Sequence, residues 1–235
     1  MQDISEATRL ALALVFSGDA DLLEIVGLSM RVSLTATTLA CLIGLPLGAF
    51  LATARFRGRD AALVVVNALM GLPPVVVGLL VYLHLSRAGP LGFLGLLYTP
   101  TAMIVAQTVL ITPIVTALSR QVLEDLHAEY DEQFRSLCLN RIETIRALLW
   151  DGRYALLTVA LAGFGRAVAE VGAVIVVGGN IDHLTRVMTT AIALETSKGQ
   201  LALALALGLI LMVLALGVNA MVQGLRMTVT RAAYA

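Results

Sequence analysis

Charged residues are scarce in this sequence, and their scarcity excludes a water-soluble globular protein of this size. Only 14% of the 235 residues are charged, whereas 59% are hydrophobic. Such a composition provides too little polar surface to cover a hydrophobic core in water. It predicts an integral membrane protein instead.

Residues that build covalent or metal sites are also few. The two cysteines, Cys41 and Cys138, lie far apart, so neither a disulfide nor a cysteine metal site is expected. The three histidines are scattered, and the sequence places no cysteine or carboxylate cluster around them. The phosphate-binding motif Gly-x-x-x-x-Gly-Lys-[Ser/Thr] is missing, and the only lysine is Lys198. We therefore expect no metal, no cofactor and no ATP hydrolysis in this chain.

Long uncharged runs are abundant. Four of them exceed the roughly 20 residues that a helix needs to cross a bilayer, and a fifth is apolar apart from Arg166 and Glu170. We predict an all-α membrane protein with one transmembrane domain over 25–225, an external or interfacial segment over 1–24 and a cytoplasmic tail over 226–235. The predicted spans are 25–54, 61–86, 101–119, 154–178 and 200–225.

The arginines are concentrated on one side of these spans. Ten of them follow the first span, lie in the loop 120–153 or follow the fifth span, while the other side has three arginines and Lys198. Cytoplasmic loops of membrane proteins are enriched in Lys and Arg. The loop 120–153 and the C-terminus are therefore predicted to be cytoplasmic, with the N-terminus outside.

The predicted cytoplasmic loop contains an amphipathic helix or a pair of them. From Glu132 to Leu149 apolar side chains recur at helical spacing, with charged residues on the other faces. The membrane domain, the lipid surface or a partner protein must cover such a stripe. Because positive and negative charges nearly balance in this loop, attraction to anionic lipid is not favoured. A partner protein is the preferred interpretation.

The segment from Glu132 to Asp151 resembles the coupling loop of the permease subunits of ABC importers. Glu132 matches the first position of the Glu-Ala-Ala motif, whereas Cys138 stands at its glycine and Trp150 replaces its Leu. Asn140, which tolerates a left-handed backbone, is the candidate to supply the bend. The resemblance implies that an ATPase subunit docks on this loop. The residues expected to couple to it are Glu132, Phe134, Leu137, Cys138, Arg141, Ile142 and Ile145.

Four further stretches are similar to the permease subunit of tungstate-type ABC importers, which is related to molybdate permeases. They are NALMGLPPVV (67–76), GPLGFLGLLYTPTAMIVAQ (89–107), GFGRAVAEVGAVIVVGGNI (163–181) and TTAIALETSKGQLALALALGLIL (189–211). The resemblance implies a five-helix type I (MetI-like) importer bundle in a prokaryotic inner membrane. It also implies an extracytoplasmic oxyanion-binding protein and a cytoplasmic subunit that binds ATP and Mg. The implied substrate is tungstate, with molybdate or sulfate as alternatives.

Transport of a doubly charged oxyanion needs a water-filled path lined by neutral donors, because a tight site would trap the ion. Five helices are too few to enclose such a path alone, so we expect two copies of the chain with the path between them. We also expect contact with membrane lipid and none with nucleic acid. Arg166 and Glu170 stand one helical turn apart near mid-membrane, where a gate and a neutralised structural pair are both plausible. The candidates for gate or pathway are Arg166, Glu170, Thr35, Asn67, Pro73, Pro74, Thr108, Thr112 and Asn180.

Two other classes of protein fit less well. A phosphatidyl-alcohol transferase needs an acidic metal cluster, and the sequence Asp151-Gly152-Arg153 begins such a motif, but the downstream aspartates are missing. A secondary transporter driven by an ion gradient usually has more intramembrane carboxylates and internal repeats. That class remains the less favoured alternative.

Overall fold

The apolar runs form the long helices of the structure, a computed structural model that describes the backbone of residues 4–233 and the side chains of residues 8–224. Over the described backbone the chain is all α and has no strand, which agrees with the predicted fold class. One 3₁₀ turn covers Gly92–Leu94. The helices are α1 Ile4–Ser17, α2 Ala20–Thr53, α3 Arg59–Met70, α4 Pro74–Leu85, α5 Pro100–Ser136, α6 Arg141–Asp151, α7 Arg153–Val168, α8 Gly172–Gly178, α9 Met188–Lys198 and α10 Leu201–Ala233.

Three of these helices, α2, α5 and α10, are long and apolar enough to cross a membrane alone. Two further candidates are bent pairs: α3 and α4 meet at 99°, and α7 and α8 at 57°. If each pair counts as one span, the total is the five that the sequence predicts. The predicted spans 61–86 and 154–178 are thus each two helices.

Prolines explain the first bend. Pro73 has an extended backbone (φ −61°, ψ 126°) and Pro74 is the first residue of α4. Proline lacks an N–H and its ring disfavours a helical residue before it, so α3 ends at Met70. The end of α3 is closed by the Gly71 N–H, which donates to the Ala68 carbonyl, and by the Leu72 N–H, which donates to the Leu69 carbonyl.

Helices α2 and α5 extend beyond the predicted spans. Helix α2 begins at Ala20 rather than residue 25, because the Asp19 carboxylate accepts a hydrogen bond from the Leu22 N–H at 3.1 Å and caps the helix. Helix α5 continues 17 residues beyond the predicted end at 119. Ion pairs four residues apart, Arg120 with Glu124 and Asp131 with Arg135, stabilise this polar extension.

At the ends of the chain, α1 lies within the predicted external segment. Helix α10 continues to Ala233, so most of the predicted tail 226–235 is helical. Residues 1–3 and 234–235 lie outside the described part of the chain. So do the side chains of Arg226 and Arg231, on which the predicted orientation partly depends.

The chain divides into two compact units. The first comprises residues up to Ala36 together with 73–107 and 165–218. Within it α4 and α8 pack closely through glycine: a Cβ on Gly78 would lie 2.8 Å from the Ala173 Cα.

The second unit comprises 37–72, 108–164 and the chain from Asn219 onward. Its buried centre joins α2, α5, α6 and α7. Gly44 and Gly48 let α2 approach α5, since a Cβ on Gly48 would lie 2.8 Å from the Thr116 carbonyl. The residues of this core are Ala49, Ala52, Leu123, Leu148 and Leu156.

Candidate functional site

The predicted ion pair lies at the break between α7 and α8. An Arg166 Nη donates to a Glu170 carboxylate oxygen at 2.6 Å. The Glu170 side chain is only 3% exposed, whereas the Arg166 side chain is 38% exposed. The two residues predicted to pair therefore do so, with the carboxylate far more buried than the guanidinium.

Glu170 also holds the two helices at this break. Its second carboxylate oxygen accepts the Ala173 N–H at 3.1 Å, in the first turn of α8. Its backbone carbonyl accepts the Thr189 hydroxyl at 2.8 Å. One turn earlier, the Gln107 amide donates to the Ala167 carbonyl at 3.1 Å.

These contacts follow from the physics of a helix end in a membrane. Helix termini leave backbone groups without partners, and water is not at hand in the hydrocarbon core to satisfy them. Here side chains of α5 and α9 and the Glu170 carboxylate replace that water. The contacts give Glu170 a structural role inside its own chain, and its role in a gate remains a prediction.

Two of the predicted pathway hydroxyls are engaged by their own helices. The Thr35 hydroxyl donates to the Arg31 carbonyl at 2.7 Å, and the Thr112 hydroxyl donates to the Thr108 carbonyl at 2.7 Å. Such bonds to the preceding turn are common for Thr in membrane helices. Each hydroxyl hydrogen is therefore already used, and only the lone pairs of the oxygen remain. Such a hydroxyl is a poorer ligand for an anion. Thr108 itself is half-buried on α5.

The remaining pathway candidates lie at turns or on an exposed face. Asn67 is exposed on α3, and Pro73 and Pro74 form the 99° bend. Asn180 follows the last turn of α8 with φ 51°, a left-handed conformation that asparagine tolerates. Its amide donates to the Thr190 carbonyl at 3.4 Å, while its buried side-chain oxygen has no partner among the described residues.

A second candidate site is the turn between α5 and α6. Asn140 caps α6: its oxygen accepts the Glu143 N–H at 3.0 Å, and the Glu143 carboxylate accepts the Asn140 N–H at 2.8 Å. This capping box needs an extended residue, and Asn140 has φ −76° and ψ 166°. The prediction that Asn140 supplies a left-handed bend is therefore wrong.

Cys138 supplies that bend instead, with φ 51°. It stands at the position where the related motif has glycine. The Cys138 N–H donates to the Arg135 carbonyl and the Leu139 N–H to the Phe134 carbonyl, both at 3.1 Å, which closes the end of α5. The turn keeps a left-handed geometry even though its residue carries a side chain.

The seven predicted coupling residues fall into two groups. Phe134 and Ile145 pack against the core of the second unit, and the Phe134 ring stacks on the His127 ring with centroids 6.1 Å apart. These two partly buried residues support the turn from the side of the core. The exposed members are Glu132, Leu137, Cys138, Arg141 and Ile142, with Leu137 67% and Ile142 65% exposed.

Sequence reasoning missed an exposed aromatic pair at the junction of α6 and α7. Trp150 is 69% exposed at the end of α6, and Tyr154 is 46% exposed at the start of α7. The Arg153 guanidinium lies 4.8 Å from the Trp150 ring centre and 4.7 Å from that of Tyr154. The signal was available, since the single tryptophan follows an amphipathic segment directly.

A cluster of titratable groups was also missed. His183 Nδ1 lies 2.9 Å from a Glu24 carboxylate oxygen, and Asp21 is close by, with the three possible ligand atoms within 4.8 Å of one another. The expectation that no histidine has carboxylates around it is wrong here, because 159 residues separate these two partners in sequence. The hydrogen bond that the His183 ring makes to the Glu24 carboxylate raises the pKa of His183, and the charges of Glu24, Asp182 and Asp21 add to this.

Comparison with known proteins gives a consistent result. The model of a family described as binding-protein-dependent transport system inner membrane component matches residues 44–230. The chain is 39% identical over 226 residues to the tungstate uptake system permease protein of Peptoclostridium acidaminophilum, covering 96% of this chain and 99% of that protein. The tungstate uptake system permease protein of Campylobacter jejuni is 36% identical over 199 residues, covering 85% of this chain and 83% of its own length. The molybdenum transport system permease protein of Azotobacter vinelandii is 30% identical over 186 residues, covering 72% of this chain and 79% of its own.

Proposed function

This chain belongs to the family of binding-protein-dependent transport system inner membrane components, and on that premise we propose that its cargo is tungstate. The chain is a transport subunit and not an enzyme, and it is a multi-pass inner membrane protein. The observation that supports tungstate as the substrate is the similarity of almost the whole chain to a tungstate permease. The identity to a molybdenum permease is lower and covers less of both chains. Molybdate and sulfate are the alternatives.

Energy comes from a separate cytoplasmic subunit that binds ATP and Mg. It docks on the turn between α5 and α6, where Leu137 and Ile142 are exposed beside Arg141. Phe134 and Ile145 hold this turn against the core of the second unit, so a movement of the turn reaches α5 and α6 directly. Exposed apolar residues at such a turn can bind in a hydrophobic groove on a partner protein.

The rest of the assembly is proposed from the number of helices, the distribution of arginines and the family of the chain. Two copies of this chain enclose the path, because five helices are too few to surround a hydrated anion. The arginine-rich side, with the coupling turn and the C-terminus, faces the cytoplasm, and the N-terminus lies outside. An oxyanion-binding protein delivers the substrate from the outside.

Substrate passage does not use the Arg166–Glu170 pair as a binding site. The carboxylate lies 2.6 Å from the guanidinium and would repel a dianion. Neutral donors along the path instead solvate the ion weakly, which lets it leave. Alternating access moves helices whose broken ends are held by Glu170, Gln107 and Thr189.

The test is metal uptake measured by mass spectrometry. Cells without their own tungstate and molybdate importers express this chain with its ATPase subunit and binding protein, and receive both oxyanions together at low concentration. We expect tungsten to accumulate, and the variant Ile142→Glu to abolish that uptake because a charge replaces an exposed apolar contact. Ile142→Val is the matched control and retains uptake.

Each result has one meaning. Accumulation of molybdenum alone would change the substrate and leave the transport function intact. Uptake that persists after ATP depletion, with the ion gradient held constant, would point to a secondary transporter. No uptake of either metal by the intact system would contradict the oxyanion assignment.

A further inference from the structure

A charged pocket lies within the second unit, where the end of α2 and the start of α3 meet the polar extension of α5. Its volume is about 460 Å³, within the size range of small-molecule sites. Five of its lining residues are ionisable and the others are small. The lining residues are Ala52, Thr53, Ala54, Arg55, Arg59, Glu124, His127, Ala128 and Asp131.

The carboxylates of this pocket are already paired. One Glu124 oxygen accepts from Arg59 at 2.8 Å, and the other accepts from Arg120. Asp131 pairs with Arg135 at 2.7 Å. Glu124 is thus shared by two guanidinium groups, and neither acid is left to attract a cation.

Two groups with unused hydrogen-bonding capacity remain. Arg55 is exposed, lines the pocket and forms no ion pair among the residues whose side chains are described. His127 Nδ1 is buried and likewise has no partner within that set. The lining contains two guanidinium groups and two carboxylates, and Arg55 is the guanidinium without an acidic partner in the described part of the chain. The pocket therefore offers one unpaired cation with room beside it.

We propose that this pocket binds a phosphate-type anion, either the headgroup of an anionic phospholipid or a free tetrahedral oxyanion. Guanidinium groups bind such oxygens through paired hydrogen bonds, and Arg55 is free to do so. Helix α2 ends at Thr53, so Arg55 follows directly on a helix able to cross the membrane. A headgroup at the bilayer surface is within reach of that position on the proposed orientation of the chain. Arg59 and His127 complete the site from α3 and α5.

The experiment measures binding to this chain purified with its ATPase subunit in a neutral detergent. Native mass spectrometry follows retention of phosphatidylglycerol, with phosphatidylcholine as the neutral comparison, and inorganic phosphate and tungstate are added as free anions. Arg55→Gln removes the unpaired cation. Arg57→Gln is the matched control, because Arg57 is exposed two residues away and does not line the pocket. His127→Phe is a second test that keeps a ring against Phe134.

We expect Arg55→Gln to weaken phosphatidylglycerol binding about fivefold, because it removes one charged contact with the headgroup inside the pocket. His127→Phe weakens it as well, and Arg57→Gln leaves it unchanged. Displacement of the lipid by phosphate or tungstate identifies a free anion as an occupant, while retention identifies the headgroup. Equal losses in the Arg55 and Arg57 variants, or no binding of either kind of anion, would overturn the proposal. This experiment does not measure metal uptake. A negative result would therefore contradict the anion site without contradicting the proposed transport function.

Discussion

Replacing Glu170 with Gln should destabilise the protein through one broken ion pair. The substitution keeps the shape of the side chain and an oxygen that can accept the Ala173 N–H. It removes the negative charge that lies 2.6 Å from Arg166. The variant therefore separates the ion pair from the rest of the Glu170 contacts.

The size of the effect follows from burial. Removing one partner of a fully buried pair costs about 3–5 kcal/mol, and a hydrogen bond to a charged group contributes about 1.5–3 kcal/mol. The Arg166 side chain is 38% exposed, so water compensates part of the loss. We expect a destabilisation of about 2 kcal/mol, which corresponds to a melting temperature lower by about 4–8 °C.

Thermal unfolding of the purified protein, followed by size-exclusion chromatography, measures this shift. Asp131→Asn is the matched control, because its pair with Arg135 has the same four-residue spacing but a 70% exposed arginine. That change should cost about 0.5 kcal/mol or less.

A double-mutant cycle identifies the cause. Arg166→Gln combined with Glu170→Gln should cost clearly less than the sum of the two single changes, since either one already breaks the pair. Full additivity, or a Glu170→Gln protein that melts with the wild type, would refute a stabilising role for the pair.

Three further predictions concern other parts of the chain. Cys138→Gly should stabilise the protein by up to about 1 kcal/mol, because φ 51° strains a residue with a side chain, and chemical denaturation measures this. The contact of His183 with Glu24 stabilises the fold while His183 is protonated, and this stabilisation should be lost as pH rises through the raised pKa of His183. Between pH 6 and 8 the melting temperature of the wild type should therefore fall relative to that of His183→Gln. Gly78→Ala should destabilise by about 1–3 kcal/mol, since its Cβ would meet the α8 backbone at 2.8 Å, whereas Gly208→Ala, with open space around it, should not; equal melting temperatures would contradict this.

Local signals in the sequence were sufficient for the main elements. Uncharged runs predicted the spans, and the pair Pro73-Pro74, which was selected as a pathway candidate, lies where the 99° bend occurs. The four-residue spacing of Arg166 and Glu170 predicted their contact, which joins the last turn of α7 to the residues directly after it. Each of these features depends on residues that are neighbours in sequence.

Features that depend on other helices, or on which of two local roles a residue takes, were not predicted. The break after Val168 contains no proline, and it is held by Gln107 and Thr189 from other helices. The extent of α5 was missed because charged residues were taken as the end of a span, although they pair along the helix. At the turn between α5 and α6, residue preference favoured Asn140 as the left-handed position, but its side chain caps α6 and so leaves that conformation to Cys138.

The position of Arg166 and Glu170 on one segment also bears on how the chain enters the bilayer during synthesis. A lone charge at the centre of an inserting helix costs about 2.5–3.5 kcal/mol. Thr189 is made after this segment, so it cannot help when the segment leaves the translocon. Because the two charges lie one turn apart, they can neutralise each other as soon as the helix forms. The segment can thus be inserted before Thr189, which later helps to fix its break, has been translated.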